Sequence, residues 1–194
     1  FCFDDRHKSL AVASRKFVEG PHPVTKEIIY PAQVPKEIIE RLKKAHDSVV
    51  RSLAYTKGHT HGEYIVNEHG NVYLVECTNR GGGVFTSSTI VPEVSGIDLN
   101  QTLINQMIGN KVMSKDSDNN PVILSFLDFE VGKTIKSIEI PNLSYLLKFR
   151  SIYGEKDIVE SVENCASRHM MAVIRGNLEN LGDFKKRGLK IKYY

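Results

Sequence analysis

Glu63 and Glu76 are the residues whose placement in this chain implies chemistry. They flank Asn67-Glu68-His69-Gly70-Asn71, a turn-forming stretch, within two runs rich in Val, Ile, Tyr and Leu, Gly62 to Val66 and Val72 to Cys77. The pattern predicts a β-hairpin. A turn symmetric about His69-Gly70 pairs Val66 with Tyr73, Ile65 with Leu74, Tyr64 with Val75 and Glu63 with Glu76. Facing Cβ atoms then lie about 4.5–5.5 Å apart. At an effective dielectric of about 20 the two charges repel by roughly 3 kcal/mol, so one is protonated or a cation lies between them. Oxygen ligands on rigid strands suit a hard divalent ion such as Mg²⁺, which bridges to phosphates.

A period of two places Glu63, Ile65, Val72, Leu74, Glu76, Thr78 and Arg80 on one face. Tyr64, Val66, Tyr73 and Val75 occupy the other, which is apolar and belongs against a core. The first face joins an apolar floor, including Ile65 and Leu74, to acids, a hydroxyl and a guanidinium. That mixture suits a flat apolar group joined to phosphates. Arg80 runs into Gly81-Gly82-Gly83, where positive φ and close backbone approach would let amides cradle an anion. A flexible connection would use the same glycines. Two glutamates turned to solvent would show the same local pattern, and a three-residue bulged turn would shift the register and part them.

The element expected to position the hairpin is a helix over Pro35 to Lys57. Pro35 suits the first helical position, and Ile38, Ile39, Leu42, Ala45, Val49, Val50 and Leu53 recur at steps of three and four. Gly58 is the expected stop. The apolar stripe should pack on the Tyr64/Val66/Tyr73/Val75 face and hold the acids on the other side. Asp98 caps a second helix whose apolar face is Leu99, Leu103, Ile104, Met107 and Ile108, with Met107 in the core and Gly109 at the end. Before Pro35, Phe1-Cys2-Phe3, Leu10 to Ala13 and Phe17-Val18 read as short strands, broken at Gly20-Pro21 and Pro23. Glu27 to Tyr30 reads as a strand or loop.

His7 and His22 stand singly in polar surroundings and read as solvated. His59 and His61 share a strand face, but Cys77 falls opposite Gly62 on the other, so a zinc site lacks its ligand set. Orientation of the strand entrance, or contact with substrate near the acids, is the better use of these two rings. Ser87, Ser88 and Thr89 have no neighbouring base to make a nucleophile.

Asn110 to Asn120 is polar and turn-rich and reads as a linker. Beyond it, Pro121 to Glu130, Thr134 to Ile140, Tyr145 to Tyr153, part of Cys165 to Arg175, and Leu189 to Tyr194 read as strands, and Leu178 to Arg187 as a short helix. This gives an α+β, antiparallel second unit without evident chemistry. The domain expectation is 1–110 and 121–194.

Composition narrows the class. At 194 residues, 41% hydrophobic and 25% charged, the chain is ordinary globular material with enough length for one sizeable core or two small ones. A net charge of +3 is too weak to argue for nucleic acid, and the basic tail Lys185-Lys186-Arg187, Lys190, Lys192 has only Tyr193 and Tyr194 to stack bases. Cys2, Cys77 and Cys165 form no disulfide framework and suggest a reducing compartment. With no signal peptide or membrane-span run in the sequence, the expected location is cytoplasmic. The opening at Phe1, without an initiator Met, reads as a piece of something longer.

Gly58-His59-Thr60-His61-Gly62-Glu63, then Leu74-Val75-Glu76-Cys77-Thr78-Asn79-Arg80-Gly81-Gly82-Gly83, then Val94-Ser95-Gly96-Ile97-Asp98-Leu99 together resemble the ATP-grasp superfamily. The likeness is to its branch of L-amino acid ligases and carbamoyl-phosphate-synthase large-subunit-like proteins, strongest over Phe1 to Gly109. It implies an ATP-grasp C-terminal subdomain, an antiparallel sheet packed against helices, followed by a small α+β C-terminal domain. It further implies ATP and Mg²⁺ (or Mn²⁺) as cofactors, Glu63 and Glu76 as metal ligands, Arg80 at the transferred phosphate or acyl intermediate, and Ile65 beside the adenine. Many members carry Asn two residues after the second Glu; Thr78 stands there, and Asn79 points to the wrong face, so completeness of the metal set rests on Thr78.

The implied activity is an ATP-dependent carboxylate–amine ligase working through an acyl phosphate, with small-molecule carboxylate and amine substrates. The phosphate-binding N-terminal half of the fold is not found before Gly58, so the chain alone is expected to be inactive and to bind Mg-ATP weakly. The alternatives are a non-catalytic binding or assembly module of the same fold, and a nucleic-acid adaptor acting through the tail. Oligomeric state, a homodimer included, is left open.

Overall fold

The computed structural model describes residues 1–19, 24–187 and 189–194. The breaks expected at Gly20-Pro21 and Pro23, and His22, lie outside these residues. The chain divides into two compact units, one of residues 1–12 and 31–119, the other of residues 13–30 and 120–194. The change of unit after residue 119 falls in the polar segment read as a linker. Residues 13–30, however, belong with the second unit, contrary to a first domain of 1–110. Their strands β1 (Ser14–Phe17) and β2 (Thr25–Tyr30) pair antiparallel and complete a sheet edge there, with Ile29 and Tyr30 of β2 buried.

In the first unit, α1 (Lys36–Ser52) begins after Pro35. It stops short of Gly58 because Ala54 turns to φ 53°. Gly58 instead bridges to the amino-terminal segment. Cys2 N donates to Gly58 O at 2.8 Å and Gly58 N to Cys2 O at 3.2 Å. The strands expected at Phe1–Phe3 and Leu10–Ala13 are absent as named strands; only isolated bridges from Cys2 to His7 and Gly58 form.

The hairpin follows as β3 (His61–Val66) and β4 (Val72–Thr78). A π-helical turn, Thr86–Ile90, leads into α2 (Val91–Ser95) and α3 (Leu99–Met107). Asp98 caps α3, accepting from Gln101 N at 2.9 Å. Phe1, Phe3, Leu10, Ile97 and Leu99 form the core, with Val91 and Leu103 against it. Ile104, Met107 and Ile108, expected there too, are exposed. Beside Leu99, the buried residue of α3 is Gln106, whose amide accepts from Gly58 N (3.0 Å) and donates to Cys2 O (3.1 Å) and Asp4 Oδ1 (2.8 Å). A helix face that must satisfy loose backbone groups needs an amide there, and apolar periodicity cannot register it.

The second unit is a five-stranded antiparallel sheet, in the order β1, β2, β5 (Val122–Leu127), β8 (Met170–Arg175), β7 (Leu146–Ser151). The helix α4 (Leu178–Arg187) seals one face through Leu181 and Phe184, which meet Ile29, Ile123, Ala172 and Ile174. A two-stranded ribbon of β6 (Ile135–Glu139) and β9 (Lys190–Tyr193) carries Ile135 to a second cluster with Phe129, Val159 and Met170. Three charges of the basic tail are answered within the unit: Lys185 by Glu27, Arg187 by Asp183 and Lys192 by Glu139. No helix among the described residues is long and apolar enough to cross a membrane.

Candidate cation and anion site

The hairpin turn is tied by its own asparagine. Asn67 Oδ1 accepts from His69 N and Asn71 N, Gly70 N donates to Asn67 O, and Gly70 takes φ 75°. This loop is centred on His69 alone, so Val66 pairs with Val72, Ile65 with Tyr73 and Tyr64 with Leu74. Those pairs are one residue out from the expected register. A bulge at Val75 then absorbs the extra residue, and the strands resume with Glu63 opposite Glu76, Gly62 opposite Cys77 and His61 opposite Thr78. The acid pair therefore forms as expected, through two offsets that cancel.

The bulge redistributes the faces. Tyr73 takes the place beside Ile65 assigned to Leu74, and Leu74 moves to the side of Tyr64. Ile65, Tyr73 and Val75 are all exposed, so Tyr73 and Val75 are not the core-facing residues expected. Val72 likewise leaves the acid face, because it now pairs with Val66. On that face one ligand atom each from His61, Glu63 and Glu76 lie within 4.8 Å of one another. His61 Nε2 stands 3.7 Å from Glu63 Oε1. Thr78, across from His61, has its Oγ1 buried with no hydrogen-bond partner. Asn79 is committed elsewhere, its amide donating to His59 O at 2.7 Å and Lys57 O at 3.2 Å.

Arg80 is exposed and donates to Gly81 O at 2.9 Å. None of Gly81, Gly82 and Gly83 takes a positive φ, so they do not serve the conformational role expected; that geometry falls on Val84 (φ 49°) and Phe85 (φ 61°). What the first two glycines provide is room. A Cβ on Gly81 would meet Ser87 Oγ at 2.5 Å, and one on Gly82 would meet Thr86 Cγ2 at 2.9 Å and His61 Nδ1 at 3.1 Å. Left-handed Val84 and Phe85 cost on the order of 1–3 kcal/mol each, a local strain of the kind that gathers where loop shape serves a site.

Behind the hairpin runs a polar chain that the sequence did not disclose. Asp47 Oδ1 meets His7 Nδ1 (3.2 Å), His7 Nε2 meets Thr60 Oγ1 (3.0 Å), His46 Nε2 meets the same hydroxyl (3.1 Å), and His46 Nδ1 meets Tyr64 OH (3.0 Å). His7, expected in solvent, has a side chain only 5% exposed. Burial pushes both histidines down to about 4 and lifts the Tyr64 phenol to about 12. The chain links α1, the amino-terminal segment and the start of β3, fixing the strand that presents His61 and Glu63. Its only sequence trace is His46 interrupting the apolar stripe of α1.

The donor set, two carboxylates and an imidazole, fits a divalent cation, and the unpartnered Thr78 hydroxyl stands at the neighbouring strand position. The exposed Ile65 and Tyr73 beside it fit a flat apolar group.

No family profile and no curated protein matches the sequence. Solved structures do match in shape. Phosphoribosylglycinamide synthetase from Anaerococcus prevotii superposes with a TM-score of 0.83 at 16% identity, over 100% of this chain and 52% of that one. L-amino acid ligase from Bacillus licheniformis gives 0.82 at 16% identity, over 100% and 50%. A biotin carboxylase–β,γ-ATP complex from Campylobacter jejuni gives 0.65 at 17% identity, over 87% and 40%. This chain thus spans about half the length of the first two. At such identities the likeness is one of fold.

Proposed function

We infer that this chain, which has the fold of a portion of an ATP-grasp protein, forms the metal- and phosphate-binding wall of an ATP-dependent ligase joining a carboxylate to an amine. The observation that carries the reading is the Glu63–Glu76 pair, set face to face by a bulge that restores their register. Glu63 and Glu76 would hold the divalent ion, with Thr78 Oγ1 as the neighbouring oxygen. A bound ion there supplies charge neutralisation for nucleotide phosphates. Arg80 and the amides of Gly81–Gly83 hold the acyl phosphate as its negative charge develops, the guanidinium by paired N–H donors and the amides by position. Ile65, now with Tyr73 in place of Leu74, forms the apolar floor for adenine. The polar chain through His46 and Thr60 keeps the strand of Glu63 from shifting.

Support for the substrate class comes from the two structures of highest fold similarity quoted above, which are named a synthetase and an amino acid ligase. Those proteins are about twice as long, so turnover is assigned to the chain together with a complementary half of the fold, and the chain alone is proposed to bind Mg-ATP weakly. Calorimetry tests this. The chain should bind Mn²⁺ with an affinity that Glu76→Gln abolishes, and Mg-ATP more weakly than micromolar; micromolar Mg-ATP binding unaffected by Glu76→Gln would refute the reading. Thr78 in the place where many ATP-grasp proteins carry Asn favours one second reading, a non-catalytic binding module. Phosphate release from Mg-ATP by the protein containing both halves, across amino-acid mixtures, separates the two.

A further inference from the structure

We propose that His61 supplies a nitrogen ligand to the ion held between Glu63 and Glu76, so that the site takes first-row transition ions such as Mn²⁺ or Zn²⁺ ahead of Mg²⁺. This rests on the reading of the acid pair as a cation site, and adds to it the identity of a third ligand and of the metal. His61 lies two residues before Glu63 on β3, and a period of two puts both side chains on one face. Across the hairpin stand Thr78 and Glu76, in register with them. The four residues make a compact square on the strand surface.

Around an ion with bonds of about 2.1 Å, ligand atoms lie about 3.0 Å apart when adjacent in an octahedron, about 3.4 Å in a tetrahedron and about 4.2 Å when opposite. The ligand atoms of His61, Glu63 and Glu76 already lie within 4.8 Å of one another. His61 Nε2 and Glu63 Oε1, at 3.7 Å, stand at nearly the tetrahedral separation. Small side-chain rotations close the set. Gly82 bears on the same ring, since a Cβ there would come to 3.1 Å of His61 Nδ1. The missing side chain gives the imidazole its place.

The independent pointer to a ligand is Thr78. Its Oγ1 is removed from solvent and has no hydrogen-bond partner, an arrangement that is unfavourable unless something polar arrives. The register sets Thr78 opposite His61 and two residues beyond Glu76, where a metal-bound water would answer that oxygen. Imidazole in a carboxylate set changes the selectivity of the site. Carboxylate and water suit Mg²⁺, whereas imidazole nitrogen suits zinc and its neighbours, and affinity along the first row rises from manganese towards copper. His61 paired with Glu63 as a plain salt bridge would use the same distance but would confer no metal preference.

Mn²⁺ alone is the probe. Titrated into the 194-residue chain, it is followed by loss of the free-ion electron paramagnetic resonance signal, and pulsed measurements read the nuclear coupling of a directly bound ¹⁴N. The native chain should show the ¹⁴N coupling, and Zn²⁺ should displace Mn²⁺ at far lower concentration than Mg²⁺ does. His61→Ala should remove the coupling and weaken Mn²⁺ by about tenfold or more, since even outer-shell partners of a metal site carry 10–100-fold. Its Mg²⁺ affinity, read by competition, should change much less. His69→Ala, in the exposed turn, should keep the native spectrum, and circular dichroism verifies that both variants are folded. Mn²⁺ bound through Glu76 without ¹⁴N coupling, or with coupling that survives His61→Ala, overturns the role of His61 while leaving the acid pair as a cation site. Mn²⁺ binding indifferent to Glu76→Gln overturns both.

Discussion

Replacing Glu76 by Gln should change stability in opposite directions with and without metal. Glu76 and Glu63 face each other with ligand atoms within 4.8 Å. Unscreened, two charges at that separation repel by about 3.5 kcal/mol at an effective dielectric of 20 and by about 0.9 kcal/mol in bulk water. Glu76 is exposed, so the lower figure governs, and the substitution should stabilise the metal-free protein by about 1 kcal/mol. For a chain of this size that is roughly 2–4 °C in Tm. The gain should shrink in about 1 M salt, where the Debye length falls to about 3 Å. With Mn²⁺ at about a hundred times its Kd the native chain gains about 2.7 kcal/mol, an increment the Gln variant should lack. Thermal unfolding followed in chelator and then in Mn²⁺, at about pH 8 where histidine is ordinarily neutral, measures both. A variant no more stable than native in chelator, and equally stabilised by Mn²⁺, would refute the reasoning.

Two further outcomes follow from the surroundings of the hairpin. His7 and His46 have folded pKa values near 4, below their ordinary 6.5, because burial disfavours the charged ring. The unfolded chain therefore binds more protons between those values, and stability should be complete above about pH 6.5 and decline as pH falls towards 4, by up to roughly 3 kcal/mol per histidine. Urea midpoints that stay level from pH 7 to pH 5 would contradict the buried chain. Gly81→Ala and Gly82→Ala should each destabilise by about 1–3 kcal/mol, since the new methyl would fall 2.5 Å from Ser87 Oγ or 2.9 Å from Thr86 Cγ2. Gly83→Ala, with nothing within 4 Å, should be close to neutral in the same denaturation assay.

The amino-acid pattern alone determined which segments fold and which residues could carry charge to a ligand. A strong stripe of apolar residues at helical spacing marks α1, the turn residues between Val66 and Val72 mark the hairpin, and the β-branched and aromatic runs after Asn120 mark β5 to β9 within a few residues. These are local choices of backbone, set by steric preference and by burial of one face, so neighbouring residues suffice to read them. The Glu63–Glu76 pair was legible for a less secure reason. A turn centred on one residue and a bulge at Val75 displaced the register in opposite senses, and only the sum survived.

Tertiary structure decided what local pattern leaves open. Side chains that look solvated or apolar in sequence were reassigned by the polar groups they had to satisfy. Gln106 replaced Met107 in the interior because Gly58, Cys2 and Asp4 needed an amide. His7 was drawn inside because Asp47 and Thr60 answer both of its nitrogens. Residues 13–30 joined the second unit because a sheet edge near residue 120 and beyond completes their hydrogen bonds. Hydrogen-bond partners distant in sequence are chosen by where the folded backbone brings them, and no spacing rule along the chain encodes that choice.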